Sequence, residues 1–330
     1  MKSVELVCPA GSPAMLNAAV EAGADSVYCG LRDATNARSF PGLNFTPDEL
    51  AAGISWAHGR GARVMVAINT FGQAGALAPW RAAVDTAVAS RADALIVADL
   101  AVLAYARETW PDVRLHLSVQ AGAASVEAIA FYAQAYGVQR VVLPRVLSAP
   151  EIRALADRSP VELEAFVYGG LCVMAEGRCA MSSYVTGRSP NLDGVCSPPE
   201  AVTFDRSRGA LKPRLGGFAL DQLGPDEATG YPTLCKGRFV ADGKPSYLFE
   251  DPVSLNAMEL LNALTEAGVS AVKVEGRQRG KAYVARVAAA FRAAIDERER
   301  GDAGGGRPGT LDDLAEGRRE TAGAYRKTWR

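Results

Sequence analysis

Histidine is nearly absent from this chain of 330 residues: only His58 and His116 occur, and they form no HExxH pattern. A protease that grips zinc through two histidines on one helix face is hard to build from that inventory. A surplus of either charge is also missing, the formal net charge being -1. A polyanionic partner would need a local basic patch, and no nucleic acid is expected. No run approaches the roughly 18 apolar residues of a membrane span, and the first nine residues lack the basic and apolar regions of a signal peptide. The expected location is the cytoplasm, where thiols stay reduced. A disulfide framework is not expected there, and clustered cysteines point to metal or redox chemistry.

What is present is apolar sequence, 48% of the residues, enough for one barrel-sized domain or two ordinary ones. Short β-branched runs recur at 4–7, 26–29, 63–68, 94–97, 114–117, 140–143, 163–167 and 271–274, each followed by a longer helical pattern. Uninterrupted apolar runs such as Val141-Val142-Leu143 suit parallel strands covered on both faces, and eight βα units close a barrel. Ser12-Pro13 and Thr46-Pro47-Asp48-Glu49 read as N-caps followed by proline at the first helical position. The expected fold is α/β, a (β/α)8 TIM-barrel-like domain over residues 1–300.

Seven units fit before residue 168, but the eighth strand waits until Ala271, behind a helix expected over 252–267. The excess, about 168–250, is rich in Gly, Pro and Ser and has little periodicity. It reads as an irregular insertion between strands seven and eight, on the C-terminal face where barrel enzymes do their chemistry. Residues 301–330 read as a Gly-rich linker and a polar tail, solvated or an arm for a partner. The linker's Gly304-Gly-Gly306-Arg-Pro-Gly309 has the letters of a dinucleotide fingerprint, but no strand precedes it and Pro308 interrupts it.

Cys172, Cys179, Cys196 and Cys235 all fall in the insertion, separated by 6, 16 and 38 residues, without the CxxC pairs of zinc ribbons. Four thiolates in an irregular, partly buried loop suit a 4Fe-4S cluster, one cysteine per iron. On spacing alone, zinc and unligated thiols stay open. Cys8 and Cys29 stand near the ends of strands one and two, facing the proposed site, and read as small buried hydrophobes.

The residues around the cysteines are more specific. Tyr168-Gly-Gly-Leu-Cys172-Val-Met-Ala-Glu-Gly-Arg-Cys179-Ala-Met-Ser-Ser-Tyr-Val-Thr-Gly-Arg-Ser-Pro-Asn191, followed by Gly194-Val-Cys196, resembles the signature of the collagenase-like U-type peptidase family. Pro9-Ala-Gly-Ser12, Gly23-Ala-Asp25-Ser-Val-Tyr28, Leu115-His-Leu-Ser-Val-Gln120 and Lys273-Val-Glu-Gly-Arg277 agree with it, so the resemblance reaches to about residue 295. Tyr231-Pro-Thr-Leu-Cys235-Lys-Gly-Arg-Phe239 places the fourth cysteine in the context of the family's ubiquinone-biosynthesis branch. RNA-hydroxylating relatives have further cysteines soon after the third, whereas Cys196 is followed by Ser-Pro-Pro-Glu-Ala-Val.

The resemblance implies the iron-sulfur subunit of an oxygen-independent hydroxylase, its 4Fe-4S cluster on Cys172, Cys179, Cys196 and Cys235. It further implies a prenylated phenol ubiquinone precursor as substrate, prephenate as oxygen donor and a UbiV-like chain as heterodimer partner. An RNA-base hydroxylase, a collagenase-like peptidase and a noncatalytic iron-sulfur scaffold are the other readings.

A small dicarboxylate such as prephenate calls for guanidinium or ammonium groups where strands end. Lys273 and Arg277 flank strand eight, Arg145 follows strand six, and Arg178 and Arg188 sit in the cysteine loop. Asn69 and Gln120, at the ends of strands three and five, are placed to hydrogen-bond a ligand at the same rim or to cap loops. His116 shares strand parity with Arg114 and Ser118 and is a candidate for the active site or the barrel interior. Glu275 is a candidate acid or base, or a partner of Arg277. His58, before Gly59 at a helix end, reads as a cap.

Overall fold

A computed structural model of the chain describes residues 3–301 and 311–326, apart from 175, 208, 228 and 229. Strands β1 (Glu5–Pro9), β2 (Ser26–Gly30), β3 (Arg63–Ile68), β4 (Ala94–Val97), β5 (Leu115–Leu117), β6 (Val138–Val142) and β7 (Glu162–Gly170) are parallel neighbours in chain order. Between them run α1 (Pro13–Glu21), α2 (Pro47–His58), α3 (Ala78–Ala89), α4 (Leu100–Thr109), α5 (Val126–Tyr136) and α6 (Ala149–Ala156). The insertion carries α7 (Met181–Thr186), α8 (Pro190–Asp193), the strands β8 (Val202–Ser207), β9 (Ala210–Leu215) and β10 (Phe218–Ala219), and a hairpin of β11 (Arg238–Ala241) and β12 (Lys244–Tyr247). The chain returns through β13 (Ser254–Asn256) and α9 (Leu261–Glu266) to β14 (Ala271–Val274), which pairs in parallel with both β1 and β7 and closes an eight-stranded barrel. The helix α10 (Lys281–Arg300) and the short strand β15 (Glu320–Thr321) complete it.

Both caps read from the sequence form. Ser12 Oγ accepts from the Met15 amide at 3.4 Å, and Thr46 makes a capping box with Glu49. Side chains then alternate along the strands. Leu6, Val27, Val66, Leu95, Leu117, Val141 and Val272 join the main core, whereas Val7, Tyr28, Met65, Ala67, Ala94, Ile96 and Ala271 form a separate apolar cluster on the other strand face, inside the barrel. Cys8 and Cys29 belong to the main core, so they point toward the helices and not toward the barrel mouth, and burial pushes both thiols up.

The interior between β5, β6, β7 and β14 is charged instead. The fully buried Glu164 accepts from Lys273 Nζ at 2.7 Å and from Arg140 Nη1 at 3.1 Å, and Arg140 also reaches Glu5 and Glu162 at 2.6 Å. Burial acts to raise the Glu164 carboxyl, but the two cations outweigh it and hold it below the usual carboxylate range. His116 stands beside this group: its Nε2 accepts from Arg114 Nε at 2.9 Å, and its Nδ1 has no partner among the described residues. Burial, then the neighbouring Arg140, Arg114 and Lys273, hold the imidazole well below its ordinary value.

Three expectations change. The first half of the helix expected over 252–267 is β13, antiparallel to the end of β7, and α9 covers only the second half. β7 runs past the barrel rim, and its open edge takes up the Val253-Ser-Leu-Asn256 run, so tertiary pairing outweighs local preference. The insertion is not irregular throughout but holds two small antiparallel sheets. The β11–β12 turn is Asp242-Gly243, with φ of 50° and 75°, the positive pair that a tight hairpin requires. The tail is not simply solvated: β15 pairs with β13, and Leu311 and Tyr325 are buried in the main core. The glycine pattern at 304–309 lies outside the described residues. Among the described residues no helix is long and apolar enough to cross a membrane.

The state of His116 gives a pH signature. The folded chain keeps this imidazole neutral while the unfolded chain protonates it below about pH 6.5, so stability falls as pH drops below that value. His116→Gln is expected to lose that component. Its urea midpoints at about pH 5.5 and about pH 7.5 should lie closer together than those of the wild type.

Candidate functional site

The end of β7 starts the site. Gly169 adopts φ 115°, and the Gly170 amide donates to Glu275 Oε2 at 3.1 Å, so the strand leaves the barrel pinned to the residue after β14. Cys172 follows at once. Gly177, with φ 77°, seats the loop on the turn after β5, where a β-carbon would run into the Gln120 carbonyl oxygen. Cys179 precedes α7, and Cys196 follows α8, whose Gly194 carbonyl accepts from Arg38 Nη1 at 2.6 Å. Tyr231 Oη donates to the Ser197 carbonyl at 3.0 Å, tying the third cysteine segment to the fourth, and Cys235 lies in the one-turn helix Leu234–Lys236.

All four thiols line one cavity of about 190 Å³ that sits over the barrel mouth. Burial pushes up the thiols of Cys172, Cys196 and Cys235, the last to about 11. Arg145 opposes the rise at Cys172, and Arg38 and Lys236 oppose it at Cys196. Cys196 is exposed as a residue and lines the cavity.

A second cavity of about 60 Å³ lies in the barrel mouth and shares Arg38, Gln120, Arg145 and Glu275 with the first. Four cations line it. Arg145 pairs with Glu176 at 2.6 Å and stacks on Phe166 at 4.5 Å; Lys273 pairs with Glu164 and stands 3.8 Å from the Tyr28 ring centre; Arg38 lies 3.9 Å from Glu275. Arg277 is buried, bonds Asn36 Oδ1 at 3.0 Å, and has no carboxylate within ion-pairing distance among the described residues. Burial lowers it to about 10, still cationic at neutral pH. Four cations against Glu164, Glu176 and Glu275 leave one positive charge over, at Arg277, for an anionic ligand. Burial acts to raise the Glu275 carboxyl, yet Arg38, Arg145 and the Gly170 amide bring it below the usual range, so it is held as a carboxylate.

The structure brings Asn69, Gln120, Arg145, Lys273, Glu275 and Arg277 together around the lower cavity. Asn69 also caps loops, accepting from the Ala37 amide and donating to Ser118 Oγ at 3.1 Å. Arg178 lines neither cavity and lies beside Gly122. Arg188 is a surface residue paired with Glu200 at 2.7 Å. His116 lines neither cavity, and His58 pairs with Asp93 at 2.8 Å. Sequence reasoning missed Tyr28, Arg38 and Glu176. Tyr28, in the middle of β2 on its inner face, was the one carrying a positional signal. Glu176 was hidden between two cysteines, and Arg38 lies in a loop without periodicity.

These features define a class, a (β/α)8 protein whose C-terminal rim carries a thiol-lined cavity over a cationic pocket. The chain belongs to peptidase family U32, whose model matches residues 11–321. It is 32% identical to tRNA hydroxylation protein P of Haemophilus influenzae over 94% of this chain and 72% of that protein. A collagenase of Porphyromonas gingivalis is 29% identical over 88% of this chain and 65% of its own length. The 23S rRNA 5-hydroxycytidine C2501 synthase of Escherichia coli is 29% identical over 91% of this chain and 40% of that enzyme. A solved U32 peptidase, Mk0906, is 17% identical, covers 51% of this chain and 70% of its own, and has a TM-score of 0.42.

Gly177→Ala tests the seating of the loop. The substitution places a side chain at positive φ against a carbonyl, a strain of roughly 1–3 kcal/mol. Limited proteolysis is expected to cut the 171–196 stretch faster while the far-ultraviolet circular dichroism of the barrel is unchanged. Equal cleavage of variant and wild type would count against the seating.

Proposed function

We propose that this protein is the iron-sulfur subunit of an oxygen-independent hydroxylase acting on the aromatic ring of a prenylated phenol, as UbiU does in ubiquinone biosynthesis. The observation that carries the reading is the convergence of four thiols on one cavity that shares a wall with a cationic pocket in the barrel mouth. The four cysteines that line this cavity are the number a 4Fe-4S cluster takes, one thiolate per iron. Arg38, Arg145 and Lys236 line the same cavity, each beside a carboxylate. When bound, such a cluster supplies one-electron redox chemistry.

The chain's own residues do the rest. Arg277, with Lys273 behind it, holds a carboxylate of the oxygen donor, for which prephenate is the candidate. Tyr28 and Phe166 offer ring faces, and Gln120 and Asn69 supply amides at the rim. Glu176 Oε2, without a partner among the described residues, is the acceptor for a phenolic hydroxyl. A UbiV-like chain is the proposed heterodimer partner.

RNA hydroxylation is the second reading, favoured by the names of the tRNA and rRNA relatives. Against it, the formal net charge is -1, and Cys196 is followed by Ser-Pro-Pro-Glu-Ala-Val instead of further cysteines. A peptidase is disfavoured because neither histidine lines either cavity.

Anaerobic purification with the partner chain is expected to yield a brown protein with about four irons per chain. Stoichiometric zinc without iron would overturn the reading, as would an intact cluster in Cys235→Ala. Supplied with prephenate, the complex is expected to add one oxygen atom to a prenylated phenol and none to tRNA or rRNA, as followed by mass spectrometry. The reverse result establishes the RNA reading. Arg277→Met is expected to raise the prephenate concentration for half-maximal rate at least about tenfold, ~1.4 kcal/mol, while Arg188→Met leaves it unchanged.

A further inference from the structure

Residues 311–326 form a strap that crosses the barrel rim and reaches the fourth cysteine. The Ser254 amide donates to the Arg319 carbonyl at 3.0 Å, Asn256 Nδ2 donates to Glu320 Oε2 at 2.9 Å, and Tyr168 Oη donates to the Leu311 carbonyl at 3.1 Å. Gly317, with φ 60°, turns the strap tightly over Pro252, whose carbonyl a β-carbon would strike.

Next to that turn, the Glu316 amide donates to Ser254 Oγ at 2.9 Å and the Glu316 carboxylate takes Lys236 Nζ. Both side chains are nearly enclosed, 7% and 9% exposed, and Lys236 Nζ also donates to the Val253 carbonyl at 3.3 Å. Lys236 follows Cys235 directly, and Lys236 and Glu316 both line the thiol cavity. A lysine and a glutamate 80 residues apart thus meet as a closed charge pair beside one cysteine.

We propose that Lys236 and Glu316 are positioning residues for the cluster: their pairing holds the turn that presents Cys235, and each charge cancels the shift in reduction potential that the other alone would cause. The proposal rests on the iron-sulfur reading above. The physical basis is that reduction adds negative charge to a cluster, so its potential follows the net charge and burial around it. A paired lysine and glutamate contribute little net field, whereas either one left alone in that enclosed place contributes a full charge. Glu316→Gln leaves an uncompensated cation and raises the potential. Lys236→Met leaves an uncompensated anion and lowers it. The double variant returns close to the wild type. A role confined to folding predicts no such opposition of sign.

The test uses the full chain, purified anaerobically with its partner, for the wild type, the two single variants, the double variant and Glu316→Asp. Iron and sulfide contents are measured first, then the potential by dithionite titration followed by electron paramagnetic resonance. Thermal melting by circular dichroism reports on the barrel. Wild type without iron and sulfide overturns the cluster reading and the proposal with it. With the cluster present, shifts of opposite sign in the two single variants support the proposal. Shifts of the same sign, or none, overturn the proposal alone. Should Glu316→Gln lose its iron, retention of iron by Glu316→Asp supports the positioning role, and equal loss from both overturns it.

Discussion

A carboxylate with no access to water has to be neutralised where it stands, and Glu164 is neutralised from two sides at the seam where the barrel closes. Arg140 reaches it from β6 and Lys273 from β14. Because an unpaired charge in that place costs several kcal/mol, the three strands are bound to one register. The same constraint carries upward. Lys273, held by Glu164, is presented beside Tyr28 on the floor of the barrel-mouth cavity, so the interaction that closes the barrel also sets the charge of the pocket above it.

Above the seam, β7 continues past the rim, and this overrun shapes the rest of the site. Its end is pinned to Glu275, its open edge pairs with β13, and β13 in turn pairs with β15. The cysteine insertion therefore leaves the barrel from a fixed point and is stitched back at another. The two cavities share Arg38, Gln120, Arg145 and Glu275, so any ligand of the upper one presses on side chains that also bound the lower.

Much of this was legible in the residues. Strand and helix alternation identified the barrel strands, because parallel strands covered on both sides need continuous apolar runs that few other elements show. The four cysteines were legible as one set because they crowd into the long interruption of that alternation. The Asp242-Gly243 hairpin carried its own signal, passed over among the many glycines and prolines around it. β13 carried none, since the run at 253–256 becomes a strand only when an open edge is offered to it. The tail was misread because its polar composition is real, while the few apolar side chains it buries, Leu311 and Tyr325, are too sparse to form a period.

Pattern along the chain determined the (β/α)8 class through the repeat of apolar runs and helices, and it determined the helix caps through neighbours a few residues apart. Only the tertiary structure decided which cations remain unpaired. Lys273, Arg145 and Arg277 look alike in sequence, yet the first two are matched by Glu164 and Glu176, and Arg277 by no carboxylate among the described residues. Likewise, Lys236 and Glu316 acquire a meaning only by meeting beside Cys235. Charge pairing between distant strands follows from how the barrel closes and where the strap lands, and nothing in the spacing of the residues along the chain encodes either.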